Sequence, residues 1–376
     1  MKKIIAVLLL CILSMLSTAI AAEKKVELKE SISFTKESLE QKTKEQIKHS
    51  ILGPCLASKT GEIFFFGRNK INKKLRWHIY DPFKKKITKE GTCPFTDFDK
   101  FAISTNGSNA LVYSKYPGKL WILDTSKNKW KAVYSNPAQN KKGLAISPIS
   151  SFSFFSDTNA YSYLDKWNTG HYVQDVVITD ISVNPFSMTN VYTQNNLIEQ
   201  TGKTLVKNKD DLKKLMTTYI RTTDADNCLC VITNRPQITD KGFVNYIFLV
   251  NRNGDVKKIH GCSKVIRPLD LSSDSSKCIF GTTSQQGDGD VYFVLNDKKR
   301  KIAENIHPLS GKIFKDGRIW FYAQKGNEFN IYLFKNNNLQ KVLTLAKPYP
   351  IAFMENINKL LVIKDNKRAD YYELIK

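Results

Sequence analysis

Carboxylates are scarce in this sequence. Over 376 residues, 35 Asp and Glu stand against 58 Lys and Arg, for a formal net charge of +23. Histidine and methionine are also sparse, at five each. No His-Glu-x-x-His, Gly-x-Ser-x-Gly, phosphate loop or dinucleotide fingerprint occurs, so neither a cofactor nor a metal site is expected. The 18 glycines and 12 prolines are too few for a collagen-like or low-complexity chain. Beyond the first 22 residues no apolar run approaches the roughly 20 needed to cross a bilayer, which excludes a multi-span membrane protein. What is present is ordinary globular composition, 41% apolar, 11% aromatic and 25% charged. The length suffices for one large core or two domains.

The N-terminus carries the clearest local signal. Lys2 and Lys3 precede an apolar run over residues 4–16, and Ala19-Ile20-Ala21 follows as a small-residue cleavage site. This order of positive, apolar and small residues predicts a secretory signal peptide over 1–21. A lipid anchor is not expected, because bulky Leu10 precedes Cys11. The mature chain is therefore expected in a periplasmic or extracellular space, touching the membrane only through that transient leader. Losing Lys2 and Lys3 leaves the basic excess almost intact. Six cysteines remain, Cys55, Cys93, Cys228, Cys230, Cys262 and Cys278. An even number in an exported chain makes them disulfide candidates of open connectivity, although buried thiols would account for them equally well.

A repeat organises the rest. Prolines at 54, 94, 268, 308 and 350 each precede an apolar residue or Cys, with spacings of 40 between the first two and 40 and 42 among the last three. Proline has no N–H to donate and is tolerated at the start of a strand. After each comes a turn rich in Ser, Asn, Asp and Gly, then apolar runs at 63–66, 110–113, 278–280 and 319–322. Third runs follow at 77–80, 120–123, 291–295 and 331–334, and fourth ones such as 130–134 and 340–345. Four antiparallel strands with period-two alternation every forty-odd residues predict an all-β fold, a β-propeller over 53–376. Seven units are expected, or eight if Asn184-Pro185-Phe186 opens its own. The last unit is short of one strand, and residues 26–34, within an N-terminal piece spanning 22–52, can complete it. Ser38 to Gln41 reads as a capping box, predicting a short helix with Leu39, Thr43, Ile47 and Ile51 on one face. Leu212, Leu215, Met216 and Tyr219 predict a second helical insertion near 209–220.

The turn-plus-strand units resemble blades of the TolB and WD-like propeller superfamily, which centre on a Ser-Pro-Asp-Gly-like turn. The matching stretches are Ser104-Thr105-Asn106-Gly107, Ser272-Ser273-Asp274-Ser275 and Lys315-Asp316-Gly317-Arg318-Ile319-Trp320, with Thr222-Thr223-Asp224-Ala225 as a fainter copy. None keeps the Pro of that turn, and too few residues precede the first unit for the α/β domain of TolB itself. The resemblance implies a fold more than an activity.

Function is expected at a channel mouth. Arg267, His307 and Tyr349 each directly precede a repeat proline, which would set them, with Cys93, around one opening. Loop geometry alone would account for the same pattern. Trp167 lies in a loop-like stretch, where it would be an exposed aromatic. Acidic stretches at 224–227 and 285–290 lack calcium-loop spacing and read as hairpin turns. Nucleic acid is not an expected partner of an exported chain whose cations are mostly Lys. The expectation is a non-catalytic propeller binding an envelope protein or an anionic polymer through one face. The alternative is a hydrolase or lyase acting on an acidic glycan, with Arg267 steadying charge and His307 or Tyr349 moving a proton.

Overall fold

The computed structural model describes residues 28–33 and 49–374, apart from segments of which 136–148 and 235–243 are the longest. Residues 1–21, most of the helix expected from Ser38, and the stretches 184–186 and 223–226 lie outside the described residues.

Among the described residues the chain builds seven four-stranded antiparallel sheets. The first is representative: strands His49–Ala57, Ile63–Asn69, Leu75–Asp81 and Lys86–Thr92 follow one another from one edge to the other. The seventh is composite. Ile351–Met354, Lys359–Asp365 and Arg368–Glu373 come from the C-terminus, and Leu28–Ser33 pairs antiparallel with Arg368–Glu373 as its fourth strand.

Sheets stack face to face. Phe64, Trp77, Phe101 and Val112 share a core between the first and second sheets. Comparable cores join each following pair, and Ile63, Phe65, Leu361 and Tyr371 join the seventh to the first. A sheet with neighbours on both faces has no solvent side. Ile63, Phe64, Phe65 and Phe66 are therefore all fully buried, a continuous apolar run in place of the period-two alternation expected from the sequence. Alternation survives on outer strands such as Lys86–Thr92, where Lys86 is exposed and Ile87 buried.

The first strands of the sheets form the inner edge, where neighbouring sheets meet most closely. They are His49–Ala57, Lys100–Ile103, Ile149–Phe154, Leu215–Thr222, Val265–Leu271, His307–Ile313 and Ile351–Met354. Pro268 and Pro308 do not open their strands as expected. They stand inside, each beside a β-bulge where pairing skips Leu269 or Leu309. A bulge leaves ladder positions unpaired, so a residue without an N–H costs nothing there. A second bulge recurs on the fourth strand of the first six sheets, with Thr88, Val133, Val191, Ile259, Ile302 and Val342 as the extra residues.

The hairpin turns explain the resemblance to TolB-type blades. Ser272 Oγ accepts from Lys277 N at 2.9 Å and donates to Asp274 Oδ1 at 2.6 Å, while Ser276 N donates to Asp274 at 3.1 Å. Hydrogen bonds from the Ser272 and Ser276 hydroxyls hold the Asp274 carboxyl down at about 2. Ser104 and Asn106 repeat the arrangement. The next residue is left-handed in each copy, Gly107 at φ 73°, Ser275 at 57° and Gly317 at 86°, which is why Gly belongs there.

Several expectations are corrected. The insertion at 209–220 is a 3-10 turn, Lys209–Lys214, followed by the inner strand Leu215–Thr222. Leu215 and Ile220 are buried between the third and fourth sheets, and that burial overrides the helical spacing. The α-helix of this region lies earlier, at Gln194–Gly202, capped by Thr193 Oγ1 accepting from Asn196 N. His49, Ser50 and Ile51, the end of the expected N-terminal helix, are in a strand. Ser187–Tyr192, just after Asn184-Pro185-Phe186, is the outer strand of the third sheet and opens no further unit. Trp167 is not in a loop but in the strand Asn159–Asn168, paired with Tyr172. Cys93, Cys228, Cys230, Cys262 and Cys278 are unpaired thiols, packed as apolar side chains within inter-sheet cores; the Cys55 side chain lies outside the described residues.

Candidate functional site at the inner edge

Three consecutive inner strands each end in a charged residue followed by one last paired position. Arg221, Asp270 and Lys312 are the penultimate residues of Leu215–Thr222, Val265–Leu271 and His307–Ile313. Their cross-strand partners, Leu229, Ile279 and Trp320, occupy equivalent places in the second strands. The same position in the other four sheets holds Leu56, Ala102, Ser153 and Phe353, so charge is confined to one sector of the inner edge.

The three side chains meet. Asp270 is 1% exposed, and its Oδ2 accepts from the backbone N–H of Ile313 at 2.8 Å. An innermost strand has no ladder neighbour on its open edge, and the carboxylate of the preceding sheet supplies the missing acceptor. Lys312 Nζ lies 3.3 Å from Asp270 Oδ2, and Arg221 Nη2 lies 3.9 Å from Oδ1. Both cations remain substantially open to solvent, at 43% for Arg221 and 38% for Lys312. Two cations over one buried carboxylate leave a net positive charge. Among the described residues, Arg221 Nε is a buried polar atom without a hydrogen-bond partner. The arrangement offers donors and positive charge to an anion and holds them on a rigid, buried anchor.

The residues expected at a mouth are only partly gathered. Arg267 pairs with Gly281, and a Cβ on Gly281 would come within 2.1 Å of the Pro308 ring. Arg267 and His307 therefore stand at one level on adjacent inner strands. Tyr349 does not join them; it packs half-buried in the core between the sixth and seventh sheets. Cys93 belongs to the core between the first and second sheets, where burial drives its thiol pKa strongly upward. Trp167 is on the third sheet, in neither group. Of the acidic stretch at 285–290, Asp290 is engaged by Lys264 and Lys301 at 3.5 and 4.0 Å. No cluster of three metal-ligating side chains occurs among the described residues. A cleft of about 380 Å³ opens elsewhere, between the fifth and sixth sheets, over Ile302, Ile306, Tyr332 and Leu339.

Sequence reasoning missed Arg221, Asp270 and Lys312. A signal existed: Asp270 and Lys312 each stand two residues before the first residue of a repeat turn, Ser272 and Phe314, where the second unit has Ala102 before Ser104. Charge there breaks the apolar pattern.

Solved structures share this architecture. The β-propeller domain of Cps50 (Swd1) from Myceliophteria thermophila superposes at TM-score 0.53 with 12% identity, covering 93% of this chain and all of that one. The fold is a β-propeller. Kuenenia stuttgartiensis hydrazine synthase matches at TM-score 0.53 and 11% identity, over 89% of this chain and 99% of that chain. Acylaminoacyl peptidase from Pyrococcus horikoshii matches at 0.50 and 12%, over 88% of this chain, which spans half the length of the peptidase. At such identities the likeness is one of fold alone. No family model and no curated protein matches the sequence. Each four-stranded sheet is thus a blade, and the inner edge of the first strands is the wall of the axial channel.

Proposed function

We propose that this chain is an exported binding propeller that captures an anionic partner, an acidic segment of an envelope protein or an anionic envelope polymer, at the channel wall. The observation that carries the reading is the pair Arg221 and Lys312, held over buried Asp270 with a net positive charge and open to solvent. The excess of 58 basic over 35 acidic residues would draw the same class of partner from a distance. The expected leader over 1–21 supplies the route of export.

The test is binding of the mature chain to polygalacturonate and to an acidic peptide at low and high salt. Removing one charge-assisted hydrogen bond to the partner should weaken binding by about tenfold. Arg221→Gln/Lys312→Gln should therefore lose most of its affinity for the better ligand, and salt should weaken the wild type. Equal binding by the double variant overturns the assignment. Shortened chains released from the polymer would replace it with the glycan-cleaving reading.

A further inference from the structure

A second feature lies on the flank, between the fourth and fifth blades. His260 is on the outer strand of the fourth blade, Val256–Cys262, and faces Phe280 and Tyr292 of the fifth at ring distances of 5.6 and 5.2 Å. Phe280 and Tyr292 are cross-strand partners stacked 5.1 Å apart at 14°. Above them, Lys299 on the outer strand Lys298–Glu304 donates to His260 Nδ1 at 2.8 Å and lies 5.6 Å from the Tyr292 ring centre.

The ion pairing around this spot is uneven. Lys264 and Lys301 face Asp290, Lys301 also faces Glu304, and Lys257 pairs with Asp297. Lys299 has no carboxylate partner among the described residues; it rests on a neutral imidazole. Burial, and then the Lys299 charge, lower the His260 pKa, which keeps that ring an acceptor. An uncompensated ammonium thus lies over the half-buried rings of His260 and Tyr292, with Phe280 fully buried against them, and the Tyr292 hydroxyl is 3.4 Å from Asp290. Rings offer an apolar face to the C–H side of a sugar, and the ammonium offers a counter-charge to an acidic substituent. A peptide strand is the poorer fit, because the Lys-rich edge of Lys298–Glu304 opposes strand addition.

We propose that this inter-blade patch is a lateral binding site for an acidic sugar residue, a uronate within a glycan, with Lys299 meeting the carboxylate and Tyr292 and His260 carrying the ring. It is separate from the channel wall and stands or falls independently of it.

The experiment titrates the full mature chain with a galacturonate hexamer and follows the His260 ring resonances by NMR. Saturable movement is expected. Lys299→Gln should weaken binding at this site about tenfold, and Tyr292→Leu should weaken it as well. Lys341→Gln, on the outer strand of the sixth blade, should not. Unmoved His260 resonances in the unsubstituted protein overturn the proposal without relying on any variant. So does unchanged binding by Lys299→Gln. Equal affinity for a glutamate hexapeptide would make this a peptide site and overturn the sugar assignment. Polymer binding that disappears only in Arg221→Gln/Lys312→Gln, with His260 unmoved, would keep the channel reading and remove this one.

Discussion

His78 is a buried base in an apolar place. It is 1% exposed, stacked on Phe65 at 5.0 Å, with Glu90 at 3.2 Å. Burial lowers its pKa from the ordinary 6.5, and Arg76 adds to that, while Glu90 opposes both. As pH falls below 6.5 the unfolded chain takes up a proton that the native site resists, so stability present at neutral pH is lost on acidification. The denaturation midpoint should fall from about pH 7 to about pH 5, and by less in His78→Gln. An unchanged slope in the variant would remove His78 from the acid limb. Nothing local marks this residue: its neighbours in sequence describe a strand, and only its packing against Phe65 makes it a buried histidine. Arg267 and His307, by contrast, were readable as a pair because both sit beside a repeat proline. Their places on adjacent inner strands follow from the repeat itself.

Elements are held by two devices that recur from blade to blade. The inner bulge lets Pro268 and Pro308 lie within strands, and the Pro308 ring fills the space left by Gly281. The outer bulge turns one extra residue inward. Ile302 and Val342 are 7% and 2% exposed, although the strand Lys298–Glu304 shows four exposed cations in a row before Ile302. Ile302→Ala should cost about 2–4 kcal/mol by leaving a cavity between the fifth and sixth blades. Lys298→Ala, a few residues away on the exposed part, should stay within about 0.5 kcal/mol. Chemical denaturation of both variants checks the contrast. The strands and turns were legible because turn chemistry is local, as Ser272, Asp274 and the left-handed Ser275 illustrate. The bulges were not, because an extra residue is defined only against the strand it faces. The segment 209–220 misled for a related reason: its apolar spacing suits a helix, but two neighbouring blades needed Leu215 and Ile220 as core.

At the scale of the molecule, the chain closes on itself through pairing of its first described strand with its last. Leu28–Ser33 covers the edge of Arg368–Glu373, whose Asp370 and Tyr371 are buried. Deleting residues 28–33 would expose that edge and loosen the seventh blade. Such a protein should melt about 5 °C or more lower and associate in a concentration-dependent way on size exclusion. A deletion variant that stays monomeric with an unchanged Tm would show that the strand is dispensable. The basic excess is also a property of the whole, since no single Lys-rich turn accounts for it. The sequence by itself determined the all-β character, the forty-residue period and the sign of the surface charge. Each is written in local pattern: turn residues, apolar runs and composition. Only the tertiary structure decided that Asp270 would serve a backbone amide of the next blade, that Arg221 and Lys312 would share its carboxylate, and that Lys299 would rest on an imidazole instead of an acid. The reason is physical. Blades meet through faces and inner edges, so the groups that touch come from different repeats and carry no mark of one another in sequence.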